Sequence, residues 1–309
     1  MTGTTDQTTD LTGTDVLDVD DLEGHLDVVL DRAAELKRAH YAGEPYRLLS
    51  DRTLAMLFEK PSTRTRVSFE TGMTRLGGHA IMLSPEHMQL GRGEPIKDTA
   101  RALSGYVDGI MARVRDQDEL TELAEYASVP VINGLSDEAH PAQTLADLLT
   151  IREAFGGFDL QAAWVGDGNN VASSFAIGCA MTGIDLTVAT PADYAVPDGV
   201  LSRAEALGGR PTVTTDPAEA VAGADLVYTD VWVNMGQEDE REEREVAFQD
   251  YQVNEALLAD SDARVMHCLP AHRGEEITDA VLESDRALVW QQAENRMHAQ
   301  NGLLVELLS

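Results

Sequence analysis

A chain of 309 residues with 43% hydrophobic content is long enough for two ordinary α/β domains, each with its own buried core. Its net charge of -31, from 54 acidic against 23 basic side chains, repels nucleic acid and acidic membrane surfaces. No apolar run reaches the roughly 20 residues a membrane span needs, and the N-terminus has no basic-then-apolar leader, so a cytoplasmic location is expected.

Two cysteines, Cys179 and Cys268, are too few and too far apart for a disulfide framework, and no zinc-ligand spacing accompanies them. Only Lys37, Lys60 and Lys97 among the basic residues are lysines; the rest are arginines. A surface crowded with carboxylates repels itself unless concentrated salt screens it, over a Debye length of about 3 Å at 1 M. The composition therefore reads as salt-adapted.

Met1 to Asp15 is Thr, Gly and Asp with almost nothing apolar, too little to offset ordering entropy, and a disordered acidic leader is expected over residues 1–20. From Leu22 to Leu36 apolar residues recur at helical spacing, and Gly43-Glu44-Pro45 turns the chain. Thr53 to Phe58 reads as a strand and Val67 to Leu76 as a helix ended by Gly77-Gly78. Then follow strand Ala80 to Leu83, helix Asp98 to Tyr106, strand Gly109 to Ala112, helix Leu120 to Tyr126 and strand Val129 to Asn133. A long helix, Ala142 to Ala154, carries the chain onward to Gly156-Gly157. The alternation restarts with strand Ala162 to Val165, helix Val171 to Met181, strand Leu186 to Ala189, helix Leu201 to Leu207, and strands Leu226 to Thr229 and Arg264 to Met266. Such alternation predicts an α/β fold of two Rossmann-like domains, each a parallel sheet flanked by helices and joined by long helices. The domains are expected at 21–143 and 144–286, with a C-terminal helix of about 287–309 packing back on the first. The active site is expected between them, at the carboxyl ends of the strands. Gln237 to Val246, a run of charge, reads as a solvated loop or mobile lid.

Ser62-Thr63-Arg64-Thr65-Arg66 follows a strand and opens a helix, so backbone N–H groups and hydroxyls gather at a positive helix end. This is an anion site, and Arg64 or Arg66 can add bidentate pairing to a phosphate. The longer run Phe58-Glu59-Lys60-Pro61-Ser62-Thr63-Arg64-Thr65-Arg66-Val67-Ser68-Phe69-Glu70 resembles the carbamoyl phosphate signature of the aspartate and ornithine carbamoyltransferases. Arg113 after its strand, and His140-Pro141-Ala142-Gln143 before the long helix, match that family in order. The resemblance implies that Ser62, Thr63, Arg64 and Thr65 hold the phosphate while Arg113, His140 and Gln143 bind the carbamoyl group. It further implies that Gln89, in the loop Gln89 to Asp98, reaches a neighbouring subunit's site in a homotrimer or a multiple of one. Lys60 and Lys97 both fall in these motifs. Attack on a carbonyl builds charge on oxygen that each fixed donor stabilises by about 3–4 kcal/mol, a task suited to Arg113 and His140.

The donor motifs cannot name the acceptor amine. Gly166-Asp167-Gly168-Asn169-Asn170, Asp230-Val231-Trp232-Val233-Asn234-Met235-Gly236 and His267-Cys268-Leu269-Pro270 resemble the ornithine branch of the family. The aspartate branch typically has proline where Cys268 stands. By this resemblance Asn170, Asp230, Asn234 and Met235 hold ornithine, Cys268 and Leu269 meet the reacting amine and carbamoyl group, and Arg296 completes the donor site. Asn234 departs from the usual serine but keeps donor and acceptor capacity. Lysine, putrescine or an acylated ornithine remain as acceptors, and a nicotinamide-dependent Rossmann oxidoreductase remains as a different class. Against the latter, Val171 replaces the third glycine of a dinucleotide fingerprint. Cys268 with His267 and His272 evokes a metal site or nucleophile, yet no carboxylate relay is evident, and a binding contact fits better. The transfer needs no metal or organic cofactor.

Overall fold

In the computed structural model, which describes residues 10–84, 93–234 and 237–309, the strands form two separate, all-parallel sheets. The first contains β1 (Thr53–Phe58), β2 (His79–Leu83), β3 (Gly109–Arg113) and β4 (Val131–Leu135), in the spatial order β2-β1-β3-β4. The second contains β5 (Gln161–Val165), β6 (Asp185–Ala189), β7 (Thr212–Thr214), β8 (Leu226–Thr229) and β9 (Arg264–His267), in the order β7-β6-β5-β8-β9. Central strands β3 and β8 are buried along their whole length, as parallel strands covered on both faces must be.

The helices are α1 (Leu26–Ala42), α2 (Thr63–Arg75), α3 (Ile96–Ser104), α4 (Gln117–Tyr126), α5 (Pro141–Phe155), α6 (Asn170–Thr182), α7 (Asp198–Leu207), α8 (Pro217–Val221), α9 (Arg241–Phe248), α10 (Asp279–Leu282) and α11 (Val289–Leu308). α11 packs along α1, α5 and α2. Gly302 permits that closeness: a Cβ there would lie 2.6 Å from the Val29 carbonyl oxygen and 2.8 Å from the Ala33 nitrogen.

Strand order places the site. In the first sheet the chain leaves β1 for β2 on one side, then crosses to β3 on the other. In the second it leaves β5 for β6 and β7, then returns to β8 on the opposite side. The two crevices so formed, at the carboxyl ends of β1/β3 and β5/β8, are switch points where ligands bind in open α/β sheets. Register brings Phe58 beside Arg113, and Thr229 beside His267, so the loops that follow start as neighbours.

Three expectations need correction. Residues 10–20, read as part of a disordered leader, are ordered: Val16 pairs with Ile132, and Val16 and Val19 are fully buried. The acidic side chains there act as caps, Asp15 accepting from the Val131 nitrogen at 2.7 Å and Asp18 from that of Val19 at 2.8 Å. The charged run after Gln237 is largely the helix α9, not a solvated loop, because Arg244 and Phe248 fall four residues apart on one buried face. α2 begins one turn earlier than its apolar periodicity suggests, since the Ser62 hydroxyl accepts from the Thr65 nitrogen at 3.4 Å and caps it.

Candidate active site between the two sheets

A cleft of about 840 Å³ opens at these switch points, and it is lined by residues of both halves. Ser62, Thr63, Arg64, Thr65, Arg113, His140, Gln143 and Arg296 line it from one side; Asn170, Asp230, Asn234, Cys268 and Leu269 line it from the other. Gln89 and Met235 lie outside the described residues. Of the two candidate arginines in the helix-opening motif, Arg64 faces the cleft, whereas Arg66 pairs with Glu70 at 3.0 Å. Lys60 also lines the cleft; Lys97 is exposed on α3.

The donor side is a cluster around Thr65. Its hydroxyl accepts from Arg296 Nη2 at 2.9 Å and from Arg113 Nη1 at 3.5 Å. Arg296 Nη1 also donates to Gln143 Oε1 and lies 3.2 Å from His140 Nε2. None of Arg64, Arg113 and Arg296 pairs with a carboxylate among the described residues. Burial, reinforced by the neighbouring guanidiniums, lowers Arg113 to about 10, and burial with Arg64 nearby lowers Arg296 to about 10. Both stay charged at neutral pH, so this side of the cleft gathers positive charge that no carboxylate pairs among the described residues, and it favours an anion. Burial, then Arg296 and Arg113, pushes His140 well below the usual imidazole range, which keeps it neutral. A guanidinium only donates, so Nε2 of His140 accepts and the ring proton sits on Nδ1. That atom is buried without a partner among the described residues.

On the acceptor side, Asp230 and Cys268 follow the paired Thr229 and His267, and the thiol donates to Asp230 Oδ1 at 2.9 Å. Burial and this carboxylate push the Cys268 thiol well above its ordinary value, so it is a protonated contact and not a thiolate nucleophile. Asn169 caps α6 and donates to Asp230 Oδ2 at 2.9 Å; Asn170 donates to the Ser136 carbonyl at 2.6 Å, tying the second half to the first. The Asn234 nitrogen donates to Gln237 Oε1 at 3.0 Å. Leu269 holds a positive φ of 60°, a conformation costly for a branched side chain, and its nitrogen donates to His267 Nδ1 at 2.9 Å.

Sequence reading missed the groups behind this lining. A carboxylate does accompany His267: its Nε2 donates to Glu276 Oε1 at 2.9 Å, both side chains fully buried. With Nδ1 accepting from Leu269, both ring nitrogens are engaged in holding the Cys268-Leu269 loop, which leaves no lone pair for a metal. Arg244 of α9 pairs with Asp167 at 2.9 Å and lies 4.8 Å over the Tyr194 ring. Burial raises Asp167 to about 6, with Arg244 opposing the shift. Asp147 is fully buried one turn after Gln143; burial raises it to about 7, against hydrogen bonds from Gln143, Gln292 and Tyr228. Its one visible signal is a carboxylate within the apolar run Leu145 to Leu149.

Comparison with known proteins agrees with this arrangement. The family model described as "Aspartate/ornithine carbamoyltransferase, carbamoyl-P binding domain" matches residues 14–153, and its companion "Asp/Orn binding domain" matches residues 159–307. The chain is 62% identical over 299 residues to the ornithine carbamoyltransferase of Haloquadratum walsbyi, spanning 95% of this chain and 97% of that one. It is 53% identical to that of Archaeoglobus fulgidus, over 95% of this chain and 97% of the other. The solved ornithine carbamoyltransferase from Pyrococcus furiosus matches with a TM-score of 0.93 at 50% identity, over 97% of this chain and 98% of its own. With a cleft built from both matched halves and likeness along nearly its whole length, the chain belongs to the aspartate/ornithine carbamoyltransferase family.

Proposed function

We propose that this enzyme moves the carbamoyl group of carbamoyl phosphate to the side-chain amine of L-ornithine, giving L-citrulline and phosphate, or runs the reverse. One observation carries the reading: Arg64, Arg113 and Arg296, with no carboxylate partner among the described residues, converge with His140 and Gln143 opposite the Asp230–Cys268 pair. The α2 N-terminus and Arg64 take the phosphate; Arg113, Thr65 and the Nδ1 proton of His140 take the developing oxyanion. An amine of this type has a free pKa of about 10.4, and selecting its neutral form near pH 7.5 costs about 4 kcal/mol. Asp230 and a water-poor cleft offset that cost by orienting the amine, while phosphate leaves and takes up the proton.

The acceptor identity rests on Cys268 beside Asp230 and on relatives named ornithine carbamoyltransferase. The same reading divides the chain into a carbamoyl phosphate half at 21–143 and an ornithine half at 144–286, with 287–309 returning to the first. It also takes the assembly to be a homotrimer or a multiple of one, in the cytoplasm; among the described residues no helix is long and apolar enough to cross a membrane. A colorimetric assay with carbamoyl phosphate and a panel of ornithine, lysine, putrescine and acetylornithine tests it. Turnover with ornithine at least about tenfold above each competitor is expected; equal or greater turnover with another amine reassigns the acceptor.

A further inference from the structure

Asp147 sits where a charge is costly, fully buried inside α5, so something must hold it there. Its contacts are three neutral donors. Gln143 Nε2 donates to Oδ1 at 2.8 Å, Gln292 Nε2 donates to the same oxygen at 2.7 Å, and the Tyr228 hydroxyl donates to Oδ2 at 3.0 Å. Oδ1 accepts from both amides at once, so each glutamine turns its NH2 toward Asp147 and its carbonyl oxygen away.

The far ends of both amides agree with that polarity. Gln143 Oε1 accepts from Arg296, which can only donate, and Gln292 Oε1 accepts from the His267 nitrogen at 2.9 Å. One carboxylate thereby sets two amides, one lining the cleft and one holding the strand end that carries Cys268. We infer that Asp147 is a positioning residue for carbamoyl recognition: it fixes Gln143 so that a carbonyl oxygen, never an NH2, faces the carbamoyl NH2 of the donor. This inference rests on the proposed carbamoyl transfer. A leucine at position 147 removes the oxygen that both glutamines share and leaves their amides free to turn over.

The test uses the full-length enzyme. Citrulline formation by the parent checks the underlying reading first, and its absence would sink that reading separately. In Asp147→Leu, kcat/KM for carbamoyl phosphate is expected to fall about 30-fold, the scale of a buried donor left without its acceptor. Inhibition by phosphonoacetamide, which carries the amide, should weaken in parallel, while inhibition by inorganic phosphate should stay within about threefold. Unchanged kinetics, or equal loss of phosphate and phosphonoacetamide binding, would overturn the inference. Should the variant not fold, the parent still decides. A fixed carbonyl acceptor predicts that phosphonoacetamide binds about tenfold tighter than phosphonoacetate despite the latter's extra charge; equal or tighter binding of the carboxylate overturns it.

Discussion

Arg64, Arg113 and Arg296 approach one cleft from α2, β3 and α11, and their mutual repulsion is tolerable because an anion of two charges belongs between them. Truncating Arg64 to alanine should lower kcat/KM for carbamoyl phosphate by at least about 100-fold, and His140→Ala should lower kcat similarly. Citrulline formation within about twofold of the parent in either variant would contradict the assignment. His298, on α11 and fully buried, is held at about 4 by burial and then by Lys37. Its folded pKa lies below the unfolded value of about 6.5, so the fold favours the neutral ring. Its stabilising contribution is complete above that value and is lost as pH falls toward 4. Urea unfolding of the parent and of His298→Gln at constant salt should show the parent's advantage shrinking between pH 7 and pH 5; a constant or growing difference would count against it. At this scale the sequence is informative wherever motif chemistry is local: of the described residues it offers for the site, all but Arg66 line the cleft. Asp147 and Arg244 escape a sequence reading because partners come from distant segments, 81 residues away for Asp147 and Tyr228 and 77 for Arg244 and Asp167; Glu276 lies only nine residues from His267, but in a loop with no periodicity to pair them.

Among the elements, the alternation of strand and helix was readable because buried parallel strands give short apolar runs and their crossovers give longer periodic ones. Edge strand β7 was missed for the opposite reason: its three residues, Thr212–Thr214, are largely exposed and leave no apolar run. α9 reads as a loop in the sequence because charge dominates it, and its buried residues are Arg244 and Phe248 alone. α11 lies against α1, α2 and α5, and at Gly302 its backbone comes close enough to α1 to leave no room for a Cβ. Gly302→Ala forces a methyl against backbone atoms of α1, so we expect a loss of about 1–3 kcal/mol in stability. A denaturation midpoint equal to the parent's would show that α1 and α11 can separate at no cost. α9 docks through Arg244 onto Asp167, beside the loop that carries Asn169 and Asn170. Arg244→Met should therefore raise KM for ornithine about tenfold while KM for carbamoyl phosphate changes by less than about twofold. Equal effects on both would place α9 in general stability instead.

For the whole molecule, the acidic excess governs conditions more than shape. A net charge of -31 with almost no lysine predicts that stability rises with KCl through the molar range, as screening relieves repulsion between carboxylates. A melting temperature unchanged on dialysis from molar to low salt would remove that reading. The two-sheet architecture was legible in the sequence because composition, periodicity and motif order pointed the same way. The ordered start of the chain was not: in Asp10 to Asp20 isolated apolar residues serve as anchors and acidic ones as caps, which looks like disorder in a composition count. Carbamoyl transfer requires one cleft to hold both substrates at once, with phosphate near α2 and the amino acid near Asp230. Calorimetric titration in concentrated KCl with N-phosphonoacetyl-ornithine, which joins the two, measures this directly. The account predicts binding at least about 100-fold tighter than phosphate or ornithine alone, abolished by competition with either; no heat of binding, or affinity no better than that of the separate parts, would contradict it.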